Sequence, residues 1–419
     1  MSAIENVTTR PLDSFTPFDP DVMSCPHEYN RRMRAEAPIY RCPHTGIFFV
    51  FDYDTIREVA ADHGTFSNRF GQAMRAGGEI DPRLAAEMAK GYPPVDTMLT
   101  EDPPRHRRYR GLVNQALTAR RVATLEPDIS RIAHDLIDAF AARGRAEFVS
   151  EFCGPLPLTV IADQLGVPRV DLPLFNKWSD AFVAQLSRMA SPDEEVEAAR
   201  LIVEFQHSFA KKLEERRSIR TDDILSDIVH ARLEGERPLD TAESLSIIQQ
   251  LLVAGNETTT SAIAEGVLLL IRNPDQRAKL RADRSLVPNL VEEVLRLSTP
   301  TANMWRVCTQ DTVLQGVSIP KGSMVQIRYA SADRDDRVFD AADAFDVTRT
   351  NARQNVAFGH GVHMCIGASL ARKEMQVAFD AILDRLEDLA LDSDPDALVY
   401  PPNALLRGLK TLPITFRAR

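Results

Sequence analysis

Near its C-terminus the chain reads Phe358-Gly359-His360-Gly361-Val362-His363-Met364-Cys365-Ile366-Gly367 and runs straight on into Ala368-Ser369-Leu370-Ala371-Arg372-Lys373-Glu374. Glycines at 359 and 361 allow a tight backbone bulge without a Cβ penalty, and Gly367 allows a flat ligand to approach closely. From Ile366 onward, Leu370, Met375, Val377, Ala378, Ile382 and Leu386 recur near helical spacing, which predicts an amphipathic helix over 366–389. Cys365 then stands at the mouth of that helix. Free N–H groups and the positive end of the helix dipole favour an anion there, so the thiol is expected to ionise easily and to ligate a metal strongly.

Three readings of Cys365 are open on this pattern alone. A lone cysteine can be a small buried hydrophobe. His360, His363 and Cys365 lie close enough in sequence to suggest zinc, but none of Cys25, Cys42, Cys153 or Cys308 forms the C-x-x-C pair that such sites draw on. Axial ligation of haem iron is the third, because the sulfur must stay anionic while pushing electron density toward the metal.

The pattern Phe358-Gly359-x-Gly361-x-His363-x-Cys365-x-Gly367 resembles the haem-binding signature of the cytochrome P-450 family. The resemblance implies haem b (iron protoporphyrin IX) with Cys365 as its proximal ligand, Phe358 beside the sulfur and His363 on a propionate. It also implies that Gly359, Gly367 and, upstream, Ala254 flank the cofactor.

About a hundred residues earlier stands Leu251-Leu252-Val253-Ala254-Gly255-Asn256-Glu257-Thr258-Thr259-Thr260. Asp240 and Glu243 read as an N-cap and its capping-box partner, apolar residues continue to Ile271, and Asn273-Pro274 stops the run. The result is one helix of roughly 30 residues, far longer than the usual ~11–12. Gly255, an acid and three threonines weaken its middle, and threonine hydroxyls bonding back to carbonyls are expected to open the helix and leave a groove. Without the family, these could be solvated polar residues. With it, Glu257 and Thr258 resemble the catalytic acid–alcohol pair that supplies protons for O–O cleavage.

Glu293-Val294-Leu295-Arg296 alone would be a solvent-facing i,i+3 pair. The resemblance implies a buried E-x-x-R pair locked to a later arginine, here Arg349 or a neighbour. The 334–349 segment departs from the family in lacking the usual prolines, with Ala342 where one often stands. Haem propionates call for cations, and the resemblance assigns His106, Arg110 and Arg306 to that role.

The chain has 419 residues, 50 Lys+Arg against 60 Asp+Glu and a net charge of −10, yet Arg105, Arg107, Arg108 and Arg110 cluster in one short segment. Such a basic island either is a solvated helix face or steers an acidic partner. No flavin or iron–sulfur module is recognisable, so electrons from NAD(P)H are expected to arrive through a reductase and a small acidic ferredoxin docking near Arg105, Arg107 and Arg108.

Helical patterns at 121–142, 194–217, 222–233, 240–272, 286–297 and 366–389 dominate, with short β-like runs at 46–51, 303–308, 324–328 and 411–416. The fold is expected to be mainly α, a P-450 helical bundle around haem with small β-sheets, in one domain spanning 1–419. A polar N-terminus predicts no signal peptide or membrane anchor, and five cysteines without evident pairing fit a cytoplasmic, bacterial-type, monomeric enzyme without nucleic-acid or membrane partners.

The implied activity is activation of O2 with two externally supplied electrons, followed by hydroxylation or epoxidation of a small-to-medium hydrophobic substrate. Met98, Leu251, Val253, Ala302, Met304 and Leu405 are candidate pocket residues, and the Gly-rich segment from Phe70 to Leu99, with Gly71, Gly77, Gly78 and Gly91, is a candidate mobile lid. A peroxide-using or isomerising haem-thiolate enzyme is the alternative, and a non-enzymic haem sensor a remote one.

Overall fold

The computed structural model describes residues 9–14, 16–24, 26–71, 80–187 and 190–419. Its axis is the helix Thr241–Arg272, which starts where the sequence places a capping box: Asp240 accepts from the Glu243 N–H at 2.9 Å, and Glu243 accepts from the Asp240 N–H at 3.0 Å. It stops at Asn273, because Pro274 opens the next helix, Pro274–Ala282.

Two apolar cores meet along this rod. Leu245, Ile247, Ile248 and Leu252 pack with Phe175, Phe205 and Phe209 from helices Leu172–Ser187 and Pro192–Ser218. Farther along, Ala262, Ile263, Val267 and Leu270 join Ile129, Val294 and Phe379 from helices Ala119–Ala141, Val287–Ser298 and Ala368–Arg385. Each fully buried Leu, Ile or Phe contributes roughly 1.5–3 kcal/mol, so the rod is held by burial at both ends rather than by its own propensity. Gly266 sets the closest crossing: a Cβ there would lie 2.4 Å from Phe379 Cζ.

A five-stranded sheet flanks the bundle in the order Ile39–Arg41, Phe48–Val50, Met324–Ile327, Met304–Cys308, Phe66–Ser67. Only Phe48–Val50 with Met324–Ile327 is parallel. A second sheet pairs Pro413–Ala418 with Leu386–Leu391 on one side and Arg145–Glu147 on the other.

The helix expected over 366–389 ends at Arg385. Leu386 and Leu389 continue the apolar spacing and are buried, but they do so from a strand, with Asp388 at φ +53°. Likewise 222–233 shortens to Ile224–His230. Residues 72–79, which include Gly77 and Gly78 of the expected lid, lie outside the described residues. Gly91 is held rather than free: Gln206 Oε1 accepts from the neighbouring Tyr92 N–H at 2.8 Å, and His207 bonds the Lys90 carbonyl.

Candidate functional site

A cavity of about 250 Å³ lies between the middle of the long helix and the loop before Ala368–Arg385. The loop is shaped by its glycines. Gly359 and Gly361 sit at φ +73° and +75°, and a Cβ on Gly361 would come within 2.7 Å of the Ala60 carbonyl oxygen. The Cys365 N–H donates to the Phe358 carbonyl at 2.8 Å, closing the bulge, and the Arg372 guanidinium lies over the Phe358 ring. Cys365, Phe358, Gly359 and Gly367 all line the cavity. A Cβ on Gly367 would meet only the Cys365 sulfur, at 3.8 Å, and would otherwise point into open space.

The expectation of an easily ionised thiol does not hold for the protein alone. Burial pushes the Cys365 thiol up, and the Gly367 and Ala368 N–H groups, with Arg110 and Arg372, pull it down without cancelling that effect. A cation bound at the sulfur would act in the opposite direction and favour the thiolate.

On the opposite wall, Leu251, Ala254, Gly255, Thr258 and Ala262 face the cavity at helical spacing. Thr258 donates its hydroxyl to the Ala254 carbonyl at 2.6 Å. The helix nevertheless stays α throughout, contrary to the expected opening. Space comes instead from Gly255, where a Cβ would meet nothing within 4 Å. Glu257 is turned away from the cavity; burial first, and the charge of Asp180 second, raise its carboxyl above the ordinary range.

One rim carries cations and imidazoles. Arg306 is 1 % exposed and donates to the Trp305 carbonyl at 2.7 Å, while Arg110 donates to the Met364 carbonyl at 2.5 Å. Both line the cavity with His363. His106 packs behind His363 with its ring tilted by 55° and the centroids 4.3 Å apart. Both nitrogens of His106 and Nε2 of His363 are buried without a hydrogen bond, because Asp102 Oδ1 stands 3.8 Å from that Nε2. Burial, then His363 and Arg110, lower His106 to about 4. Imidazoles with unpaired nitrogens beside two guanidiniums, in one cavity with a thiol, suit a group with anionic arms and a thiolate-ligated metal. Haem is such a group.

Behind the loop, Arg296 makes two bonds of 2.8 Å to the Glu293 carboxylate, and Arg349 Nε donates to Glu293 Oε1 at 3.0 Å. Glu293 and Arg296 are fully buried. Arg296 also donates to the carbonyls of Asp333 and Ala342, at 2.9 and 2.6 Å. Ala342, where the family often has proline, thus serves through its backbone oxygen.

Met98, Leu251 and Met304 line the cavity; Val253, Ala302 and Leu405 do not. Val253 falls on another face of the helix and packs against the core of the 172–218 helices. Ala302 lines a separate cavity, and Leu405 is held in its loop by its N–H bond to Asn403 Oδ1. Sequence reading missed Asn68, Gln250 and Glu374, all of which line the main cavity. Burial holds Glu374 well above the ordinary carboxylate range, with the Thr259 hydroxyl opposing. An acid on the buried side of an amphipathic helix was the available signal.

The basic island is also revised. Arg108 is an internal residue that pairs with Glu243 at 2.9 Å and Glu236 at 3.3 Å, because it closes the N-terminus of the long helix. Arg105 pairs with Glu101, whereas Arg107 is exposed and forms no ion pair among the described residues.

Comparison with known proteins gives one family description, Cytochrome P450, whose model matches residues 174–411. The chain is 38% identical to cytochrome P450 monooxygenase PikC of Streptomyces venezuelae, over 95% of this chain and 92% of that one. It is 39% identical to the mycinamicin IV hydroxylase/epoxidase of Micromonospora griseorubida, over 88% and 89%. Among solved structures, cytochrome P450 CYP109Q5 from Chondromyces apiculatus superposes with a TM-score of 0.84 at 35% identity, covering 96% of this chain and 98% of that one.

Proposed function

The chain belongs to the cytochrome P450 family, and on that premise we propose that Cys365 is the proximal haem ligand and that 1–419 is one catalytic domain. The protein is a monooxygenase, an oxidoreductase that uses haem and O2 to hydroxylate or epoxidise a hydrophobic organic substrate. When bound, haem supplies the redox-active iron at which O2 is activated.

The observation that carries the assignment is the cavity itself, with the Cys365 thiol on one wall, Gly255 and Thr258 on the other, and unpaired imidazole nitrogens with two guanidiniums at the rim. Arg110, Arg306 and His363 would hold the propionates, with His106 backing His363, and Ala254 and Gly255 would leave room for the ring beside the long helix. Glu293, Arg296 and Arg349 keep the loop before Cys365 in place.

Thr258 positions a proton at the cavity wall, and Glu257 replenishes it from the side of Asp180, which is exposed. Burial first, and the charge of Asp180 second, raise the Glu257 carboxyl above its ordinary range, the direction a general acid requires. Met98, Leu251 and Met304 exclude water and bind an apolar surface. Electrons come from NAD(P)H through a ferredoxin and its reductase, and Arg107, rather than Arg108, is the docking cation. No helix among the described residues is long and apolar enough to cross a membrane, and Cys42, Cys153, Cys308 and Cys365 are free, which supports a cytoplasmic setting.

The test is turnover under ¹⁸O2 with NAD(P)H, ferredoxin and reductase, screening hydrophobic compounds that displace the iron's water ligand. Product carrying one labelled atom supports the reading. Product formed only with added peroxide, or isomerised product without label, would favour the alternative haem-thiolate chemistries.

A further inference from the structure

A second cavity, of about 30 Å³, lies on the far side of the Thr301–Leu406 bridge from the haem pocket. Its walls include Asn30 of the helix Pro26–Glu36, Arg328 just after the strand Met324–Ile327, Asn303, and Tyr400 and Arg407 of the loop before the last strand. It is small, polar and cationic.

Arg328 is 4 % exposed. Its Nε donates to Asn30 Oδ1 at 3.0 Å and its Nη1 to Gln326 Oε1 at 3.1 Å, both neutral acceptors, and Tyr29 and Phe51 flank its guanidinium at 5.8 and 5.6 Å. No carboxylate lies within ion-pair distance of Arg328 or Arg407 among the described residues. Arg407 rests on the Tyr400 ring at 3.6 Å, with its Nε buried and without a hydrogen bond. Asn30 Nδ2, in a side chain that is 1 % exposed, is a second buried donor without an acceptor.

Buried charges in proteins are paired, and unpaired buried donors are rare. Neutral acceptors and aromatic faces only partly compensate a buried guanidinium. The positive field extends further: burial, then Arg334, Arg407 and Arg34, hold the neighbouring His27 far below its usual value. Burial lowers Arg328 to about 10, so it still carries its charge at neutral pH.

We propose that this cavity is a binding site for one halide-sized monovalent anion, coordinated by Arg328, Arg407 and Asn30 Nδ2. The volume suits a single small ion, since a water needs roughly 10–15 Å³ by the same measure. The anion ties the N-terminal helix and the central strand to the loop whose Leu406 bridges Thr301. Thr301 lines the haem cavity, so anion binding stiffens one wall of the substrate pocket.

Haem-loaded protein exchanged into sodium gluconate is titrated with chloride or bromide at constant ionic strength while the melting midpoint is followed. A saturable rise of a few degrees, absent with gluconate alone, is expected, together with a bromide anomalous peak between Arg328 and Arg407 in crystals. Arg407→Gln should abolish the rise while leaving the Soret band intact. Should that variant fold poorly, Asn30→Asp provides the second arm: an internal carboxylate should keep the protein as stable as the chloride-bound parent and make it chloride-independent. Indistinguishable melting in chloride, bromide and gluconate, no anomalous peak in the cavity, or an Asn30→Asp protein as chloride-dependent as the parent would each overturn the site.

Discussion

Asn256 in the middle of the long helix donates its Nδ2 to Ser179 Oγ at 3.2 Å, with both residues buried. That single bond sets the register between two helices and brings the next residue of each, Glu257 and Asp180, into electrostatic contact. The burial of Glu257 and the charge of Asp180 raise the Glu257 carboxyl above its ordinary range, one residue from Thr258.

The first prediction concerns this relay. Glu257→Gln should lower turnover by roughly 10²–10⁴-fold and raise the solvent isotope effect. Asp180→Asn should cost far less and move the alkaline limb of the rate profile to lower pH, because Glu257 then loses its proton more easily. Thr258→Ala should keep NAD(P)H oxidation but divert it from product. Turnover of Glu257→Gln at the parental rate and coupling would remove the relay.

A second prediction concerns the buried ion lock. Arg296→Ala removes both Arg296 bonds to the buried Glu293 carboxylate and leaves Arg349 as its remaining charge partner among the described residues, and breaking a buried pair costs about 3–5 kcal/mol. The expected result is little soluble holoprotein, measured as haem absorbance per unit protein. Normal yield and haem content would contradict the role given to the pair.

Two glycines on one helix separate packing from function. Gly266→Ala forces a methyl to within 2.4 Å of Phe379 and 3.1 Å of Val294, whereas Gly255→Ala meets nothing. Overpacking costs about 1–3 kcal/mol and exceeds the ~1 kcal/mol helix-propensity gain, so Gly266→Ala should lower the melting midpoint. Gly255→Ala should hold or raise it. The reverse order would contradict the helix crossing.

Most of this framework was legible because the signals are local. The loop glycines and Cys365, the Asp240/Glu243 capping box and the Asn273-Pro274 stop each fix a backbone event within a few residues. The Glu293–Arg349 contact spans 56 residues and came from resemblance, since spacing alone describes a surface pair. Val253, Ala302 and Leu405 were misplaced because apolarity does not say which cavity, or which core, a side chain faces. Arg108 was misread for a related reason: charge count does not reveal a partner 135 residues away. A sequence shows the helix terminus beside Cys365 but not the desolvation that opposes it.

Stability should also depend on pH through Asp333. Burial raises its carboxyl to about 7, against an unfolded value near 3.8. The Val356 N–H at 2.6 Å and the Thr299 hydroxyl at 3.1 Å donate to it and pull the other way without cancelling the effect of burial. The folded state therefore binds the extra proton. Its stabilisation is complete below about pH 4 and is lost as pH rises toward 7, by roughly 1.4 kcal/mol per unit at most. Denaturant titrations should show this slope relative to Asp333→Asn, and parallel pH curves for the two proteins would contradict it.

The most direct measurement of the central claim is the absorption spectrum of the dithionite-reduced protein with and without carbon monoxide, for the parent and for Cys365→His. A strongly red-shifted Soret band in the parent, lost in the variant along with oxygenase activity, is the predicted result. A band typical of histidine ligation in the parent, or an unchanged spectrum in Cys365→His, would contradict thiolate ligation by Cys365.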